Sequence, residues 1–170
     1  MNEPKQQVAQ RILDTKRDMD GRLVGLTLDF GLGDAPAGSN AWLIACDGSE
    51  YSQRAVGEAI RLASKMGDCV LHVVNVQHWM SKEAAESGFL YEGQRATDAA
   101  KAMLEQARLS WNLHILMGDP AGCIVALADT LGCHGVVIGS RGIGAAGNLL
   151  MGSVAYKVIH LSRIAVLVVR

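Results

Sequence analysis

The strongest constraint on the fold of this chain is an alternation. Apolar runs at residues 42–46, 136–138 and 164–169, and apolar-rich ones at 69–76 and 111–117, are separated by stretches that carry helix signals. A short run that is apolar at every position reads as a strand buried on both faces. Strands that alternate with helices need crossover connections, which make neighbouring strands parallel. The expected fold class is therefore α/β: a single doubly wound five-stranded parallel sheet with four helices on two faces. An apolar fraction of 49% with only 5% aromatic residues calls for a core of Val, Ile, Leu and Ala, as such a fold builds it. The length, 170 residues, suits one domain with a sizeable core.

The helix signals are local. Ala55, Val56, Ala59, Ile60, Leu62 and Ala63 form the buried stripe of a first helix, and Gly67 stands where helices end. Residues 77–88 carry no clear period and are expected as a loop, followed by a second helix over 91–108. Gly118, Asp119 and Pro120 give a turn, an N-cap and a proline at the first helical position, which starts a third helix ending near Gly132. A fourth is expected over 149–161.

Residues 1–39 read differently, as an N-terminal extension and linker before a domain over 40–170. Val8, Ile12 and Leu13 recur at helical spacing among charges, which predicts a short amphipathic helix over 5–19. Gly31, Gly33, Pro36, Gly38 and Ser39 then punctuate like a linker. Two roles fit this extension, an appended arm of modest order and a docking element for a protein partner.

A formal net charge of -1 argues against a protein that binds nucleic acid through a basic surface. No run approaches the roughly 18 apolar residues of a membrane span, and residues 1–22 contain no apolar export segment. Cys46, Cys69, Cys123 and Cys133 lie in or beside apolar runs without a Cys-x-x-Cys pair, as expected of reduced core thiols in a cytoplasmic protein. The five histidines show no metal-ligand spacing.

The stretch that carries chemistry begins where the 136–138 strand ends. Gly139, Gly142, Gly144, Gly147 and Gly152 crowd the connection to the last helix, and Gly152 and Ser153 stand at its entrance. Glycines let backbone approach a ligand closely, and the free N–H groups of a helix start attract anions. No Asp or Glu occurs from Thr130 to Arg170, whereas Arg141, Lys157, Arg163 and Arg170 do. A phosphate suits this stretch. The P-loop pattern is absent, and so is the usual dinucleotide fingerprint after the first strand.

Gly139-x-x-Gly142, nine residues, then Gly152-Ser153 resembles the motif of nucleotide-binding members of the universal stress protein family. Asp47-Gly48-Ser49, Leu71-His72-Val73, Gly118-Asp119-Pro120 and the closing Val166-Leu167-Val168-Val169-Arg170 look like further landmarks in family order. The resemblance runs from Asn40 to Arg170. It implies strand order 3-2-1-4-5, ATP bound across the carboxyl ends of strands one and four, and a homodimer paired through the C-terminal strand, Ile164 to Val169 in sequence. In such a sheet the crevice opens where strand order reverses, and Asp47 and Gly139 end the two strands concerned.

The resemblance implies Asp47, Val73, Gly139, Ser140, Arg141, Gly142, Gly152, Ser153 and Val154 as nucleotide-binding residues. Asp47 has two readings: acceptor for a ribose hydroxyl, and N-cap of the first helix with Glu50 three residues on. Val73 would offer backbone hydrogen bonds to the base. Arg141 either reaches phosphates or stays solvated, and Ser153 either donates to a phosphate or caps the last helix. Departures from the family pattern are His134 where an aspartate is common, Ala165 where a proline is usual, and Ala155 in place of a hydroxyl residue, which removes one phosphate contact. No nucleophile grouping or poised base is evident, so the expected function is an ATP-binding regulatory protein, Mg2+ accompanying the triphosphate. A slow ATPase or phosphate-transfer enzyme is one alternative, and a partner-binding module with a vestigial site is another.

Overall fold

The computed structural model describes residues 11–33, 39–143 and 150–170. Its elements are β1 (Arg11–Arg17), β2 (Leu23–Phe30), β3 (Asn40–Ala45), α1 (Glu50–Met66), β4 (Cys69–Gln77), α2 (Lys82–Gln106), β5 (Trp111–Met117), α3 (Pro120–Thr130), β6 (Gly135–Gly139), α4 (Ser153–Leu161) and β7 (Ala165–Val169). They form one sheet of seven strands in the order β1-β2-β5-β4-β3-β6-β7.

This corrects the expectation of five strands in the order 3-2-1-4-5. The strands β5-β4-β3-β6-β7 are mutually parallel and make up the inner and far part of a longer sheet. Two antiparallel strands are added beside β5, so the sheet is mixed. Residues 11–19 are not helical: they form β1 and enter a turn, while the rest of the expected helix lies outside the described residues. The turn has its own chemistry. Asp18 Oδ1 accepts the N–H groups of Asp20 and Arg22 at 3.0 and 2.9 Å, and Gly21 adopts φ 73°. Past it, Leu26, Leu28 and Phe30 alternate with Thr27 and Asp29, and the three apolar side chains are buried while Phe30 stacks on Trp111 at 4.2 Å. The added strands cover what would be the open edge of β5, and the charged β1 becomes the new edge.

Two cores flank the sheet. Ile44, Val73, Leu113, Ile115 and Val137 face α1 and α2 together with Leu26 and Leu28 of β2. Leu43, Val74, Val136 and Ile138 face α3 and α4. The helix starts follow their caps. Ser49 accepts the Ser52 N–H at 3.2 Å, Ser81 the Ala84 N–H at 3.2 Å, and Asp119 the Gly122 N–H at 2.9 Å. Ser81 therefore begins α2 nine residues before the expected start at Tyr91, within the expected loop, and Ala85 and Phe89 bury its early turns. Gly67 closes α1 by donating its N–H to the Ala63 carbonyl at 3.2 Å.

Polar side chains also cross the sheet. His72 Nδ1 lies 3.0 Å from His114 Nε2, and His114 Nδ1 lies 3.1 Å from Thr27 Oγ1. Both rings are buried, and burial pulls their pKa values down from 6.5, to about 4 for His72 and about 3 for His114. The neighbouring His72 and then Lys16 lower His114 further. The row pins the added β2 to the parallel strands.

Candidate functional site

The crevice forms where the chain leaves β3 and β6. These adjacent strands have their following helices on opposite faces, α1 against the first core and α4 against the second, which marks a topological switch point. Asp47 follows β3 and Gly139 ends β6.

Asp47 spans the gap. Its Oδ1 accepts the Ser49 N–H at 3.0 Å, and its Oδ2 accepts the Ile143 N–H at 2.9 Å. It is not the cap of α1, which is Ser49; Asp47 braces the turn before the cap. Gly142 makes the approach feasible, since a Cβ there would stand 2.5 Å from Asp47 Oδ2. Gly139 is needed for a second contact: its Cβ would meet the Tyr51 carbonyl carbon at 2.6 Å. At Gly152 the nearest atom to an added Cβ is 3.4 Å away, an ordinary contact.

The loop base is fixed by backbone. Ser140 N–H donates to the Val169 carbonyl at 2.6 Å, and Ser140 carbonyl accepts the Gly152 N–H at 2.7 Å. The entrance of α4 is thereby tied to the exit of β6. Gly152 is the N-cap of α4 and makes no side-chain cap bond, so Ser153 is the first helical residue and its exposed hydroxyl does not cap the helix. Val154 is half-buried against the second core. Gly144 and Gly147 lie outside the described residues.

Val73 stands apart from this cluster. It pairs with Ile44 on one side and Leu113 on the other, so its backbone is engaged in the sheet, and its side chain is fully buried. Arg141 lies over α1, its guanidinium carbon 5.6 Å from the Tyr51 ring centroid. Two further residues shape the site that the sequence reading passed over. Asn75, buried, donates to the Cys46 carbonyl at 2.8 Å and so holds the last turn of chain before Asp47. Tyr51 backs both Gly139 and Arg141. An Asn inside an apolar strand was a visible signal for the first; nothing local marks the second.

Burial pushes the Cys46 thiol up, so the sulfur beside Asp47 stays protonated and is a packing atom. Among the described residues no group of three or more His, Cys, Asp or Glu side chains is placed to hold a metal.

The family model for the universal stress protein family matches residues 41–170. The chain belongs to that family. Universal stress protein MJ0531 of Methanocaldococcus jannaschii is 32% identical over 136 residues, covering 75% of this chain and 80% of that protein. A solved universal stress protein in complex with cAMP is 26% identical with a TM-score of 0.58, covering 78% of this chain and 97% of its own. The universal stress protein from Archaeoglobus fulgidus in complex with dAMP shares the fold at 21% identity and TM-score 0.61, covering 78% of this chain and 98% of that one. The β1–β2 hairpin of this universal stress protein precedes the residues that the family model matches. No helix among the described residues is long and apolar enough to cross a membrane.

Proposed function

We propose that this universal stress protein binds an adenine nucleotide, ATP in the finer reading, in the crevice between β3 and β6, and acts as a nucleotide-linked regulator. The observation that carries the reading is the meeting of the Asp47 carboxylate with the Gly142–Ile143 turn at the switch point. A ribose hydroxyl can replace the Ile143 N–H as donor to Asp47, since both present one hydrogen to the same oxygen. The freed N–H and the start of α4 then face the phosphates, where backbone donors and the helix dipole favour negative charge. The base would lie toward the carboxyl end of β4, the strand that carries Val73. The relatives solved with cAMP and dAMP support an adenine nucleotide as the ligand class. Mg2+ would accompany a triphosphate on its phosphate oxygens.

Strand β7 pairs with β6 on one side and ends the sheet on the other, an edge without proline that suits pairing with a second copy through residues 164–169. Four free cysteines suit a reducing, cytoplasmic setting.

The test is acid extraction of the freshly purified protein and chromatography of the extract. An adenine nucleotide in stoichiometric amount is expected. Its absence, together with ATP affinity weaker than about 1 mM, would contradict the proposal.

A further inference from the structure

The added strand β2 does more than lengthen the sheet. Its last residue, Phe30, stacks on Trp111, the first residue of β5, so the pair stands at the amino-terminal edge of the parallel strands, away from the crevice at their carboxyl ends. Helix α2 passes over this pair. Gly93 lets the helix press on β5, since a Cβ there would stand 2.6 Å from Ile115. Just beyond, a hollow of about 160 Å³ opens between Phe30, Trp111 and Leu113 below and Gln94, Thr97, Asp98 and Lys101 of α2 above. Phe30 lies outside the residues 41–170 that the family model matches, so this wall belongs to the added hairpin and not to the family domain.

The lining is graded from inside to mouth. Trp111 and Leu113 are 1% exposed and Thr97 2%, whereas Gln94 and Lys101 are half-buried and Asp98 is exposed. The inner end is therefore aromatic and aliphatic, and the mouth carries one charge of each sign. The fold leaves these polar groups unused. Asp98 and Lys101 stand at i and i+3 of one helix, where opposite charges commonly pair, yet no ion pair joins them. Lys101 Nζ lies instead 3.9 Å from Glu105 and 5.6 Å from the Phe30 ring centroid. Among the described residues the Asp98 carboxylate and the Gln94 side-chain amide have no partner. Thr97 donates its hydroxyl hydrogen to the Gly93 carbonyl at 2.9 Å, which leaves its oxygen free to accept.

We infer that this hollow binds a free aliphatic α-amino acid, its side chain against Phe30, Trp111 and Leu113, its ammonium at Asp98, and its carboxylate at Lys101 and the Gln94 amide. The two signs at one mouth select the class. A simple carboxylate would face Asp98 and a simple amine would face Lys101, each a repulsion; a ligand with both charges on neighbouring groups satisfies both. Size sets the side chain. An apolar cavity of about 150 Å³ holds a benzene molecule, so with the charged head at the mouth a side chain of about three or four carbons fills the interior. Valine and leucine have that shape. The site lies at the opposite edge of the sheet from the crevice and stands independently of the nucleotide reading.

The test is titration of the full chain with L-leucine, followed by calorimetry and by amide and indole NMR spectra. Isovalerate and isoamylamine serve as the matching acid and amine, and Asp98→Asn and Lys101→Gln as the variants. Asp98 is exposed, so its substitution spares the fold. Saturable binding of leucine is expected, with shifts at the Trp111 indole and across residues 94–101 and none at Ile143. Each charge removed, from ligand or from protein, should weaken binding at least about tenfold, the increment of one charge-assisted contact. No saturable shift up to about 10 mM leucine would overturn the site. Isovalerate or isoamylamine binding as tightly as leucine would make the hollow a site for a single charge and overturn the assignment. Leucine affinity unchanged in both variants, or shifts confined to other residues, would place the ligand elsewhere and overturn it as well.

Discussion

Asp47 Oδ2 accepts the N–H of Ile143 at 2.9 Å, closing a loop of 96 residues with one hydrogen bond. The other oxygen of the same carboxylate holds the Ser49 N–H that leads into α1. One side chain thus sets both lips of the crevice. Asp47→Asn keeps one acceptor and turns an amide N–H₂ toward the second donor. The expected cost is about 1–2 kcal/mol, read as a lower urea midpoint, with faster hydrogen exchange at Ile143. Unchanged exchange at Ile143 would show that the bond does not hold the loop.

Gly139 and Gly142 should respond differently to alanine. At Gly139 the methyl meets the backbone of Tyr51, so α1 itself must shift, a cost of about 1–3 kcal/mol or more. At Gly142 it meets only the Asp47 carboxylate, which can swing away and lose a hydrogen bond, about 1 kcal/mol. Denaturation midpoints should therefore fall further for Gly139→Ala than for Gly142→Ala. The reverse order would contradict the packing described.

The buried His72–His114 pair predicts loss of stability in acid. The unfolded chain takes up protons near pH 6.5, whereas burial holds the folded pKa values at about 4 and about 3. Between those limits the unfolded state binds more protons, so stability rises with pH. It is fully present above about pH 6.5 and is lost as pH falls toward 4 and then 3. The loss should be on the order of a few kcal/mol. Urea denaturation at neutral pH and near pH 5 should show this slope, and the double variant His72→Gln, His114→Gln should flatten it. An equal slope in that variant would place the acid sensitivity elsewhere.

The added hairpin should be integral to stability. Phe30→Ala removes the stack on Trp111 and opens the first core beside α2, an expected loss of about 3–5 kcal/mol. A thermal midpoint unchanged by this substitution would mean that β2 is a dispensable cover.

The parallel strands were legible because each is apolar at nearly every position, and Gly118, Asp119 and Pro120 act locally, so α3 begins where its cap residue stands. The hairpin was not, because Ile12 and Leu13, which stand in β1, also fit a helical spacing with Val8. The competing signal was weaker to the eye: Leu26, Leu28 and Phe30 alternate, but only across two polar positions, with the turn written in Asp18 and Gly21. The early start of α2 escaped because its first turns bury only Ala85 and Phe89. At the site, Asp47, Gly139 and Gly142 stood out by type and spacing; Gly142 meets Asp47 in space, whereas Gly139 packs on Tyr51. Tyr51 did not, since its contacts with Gly139 and Arg141 exist only once α1 is docked on β6.

The central claim is that the crevice between Asp47 and the glycine loop holds an adenine nucleotide. Gly142→Asp tests it most directly, because it adds bulk 2.5 Å from Asp47 Oδ2 and a negative charge where phosphates would lie. Calorimetric titration with ATP should give binding to the unmodified protein and no detectable binding to Gly142→Asp, with circular dichroism showing the variant folded. Equal ATP affinity in the folded variant and the unmodified protein would contradict the account.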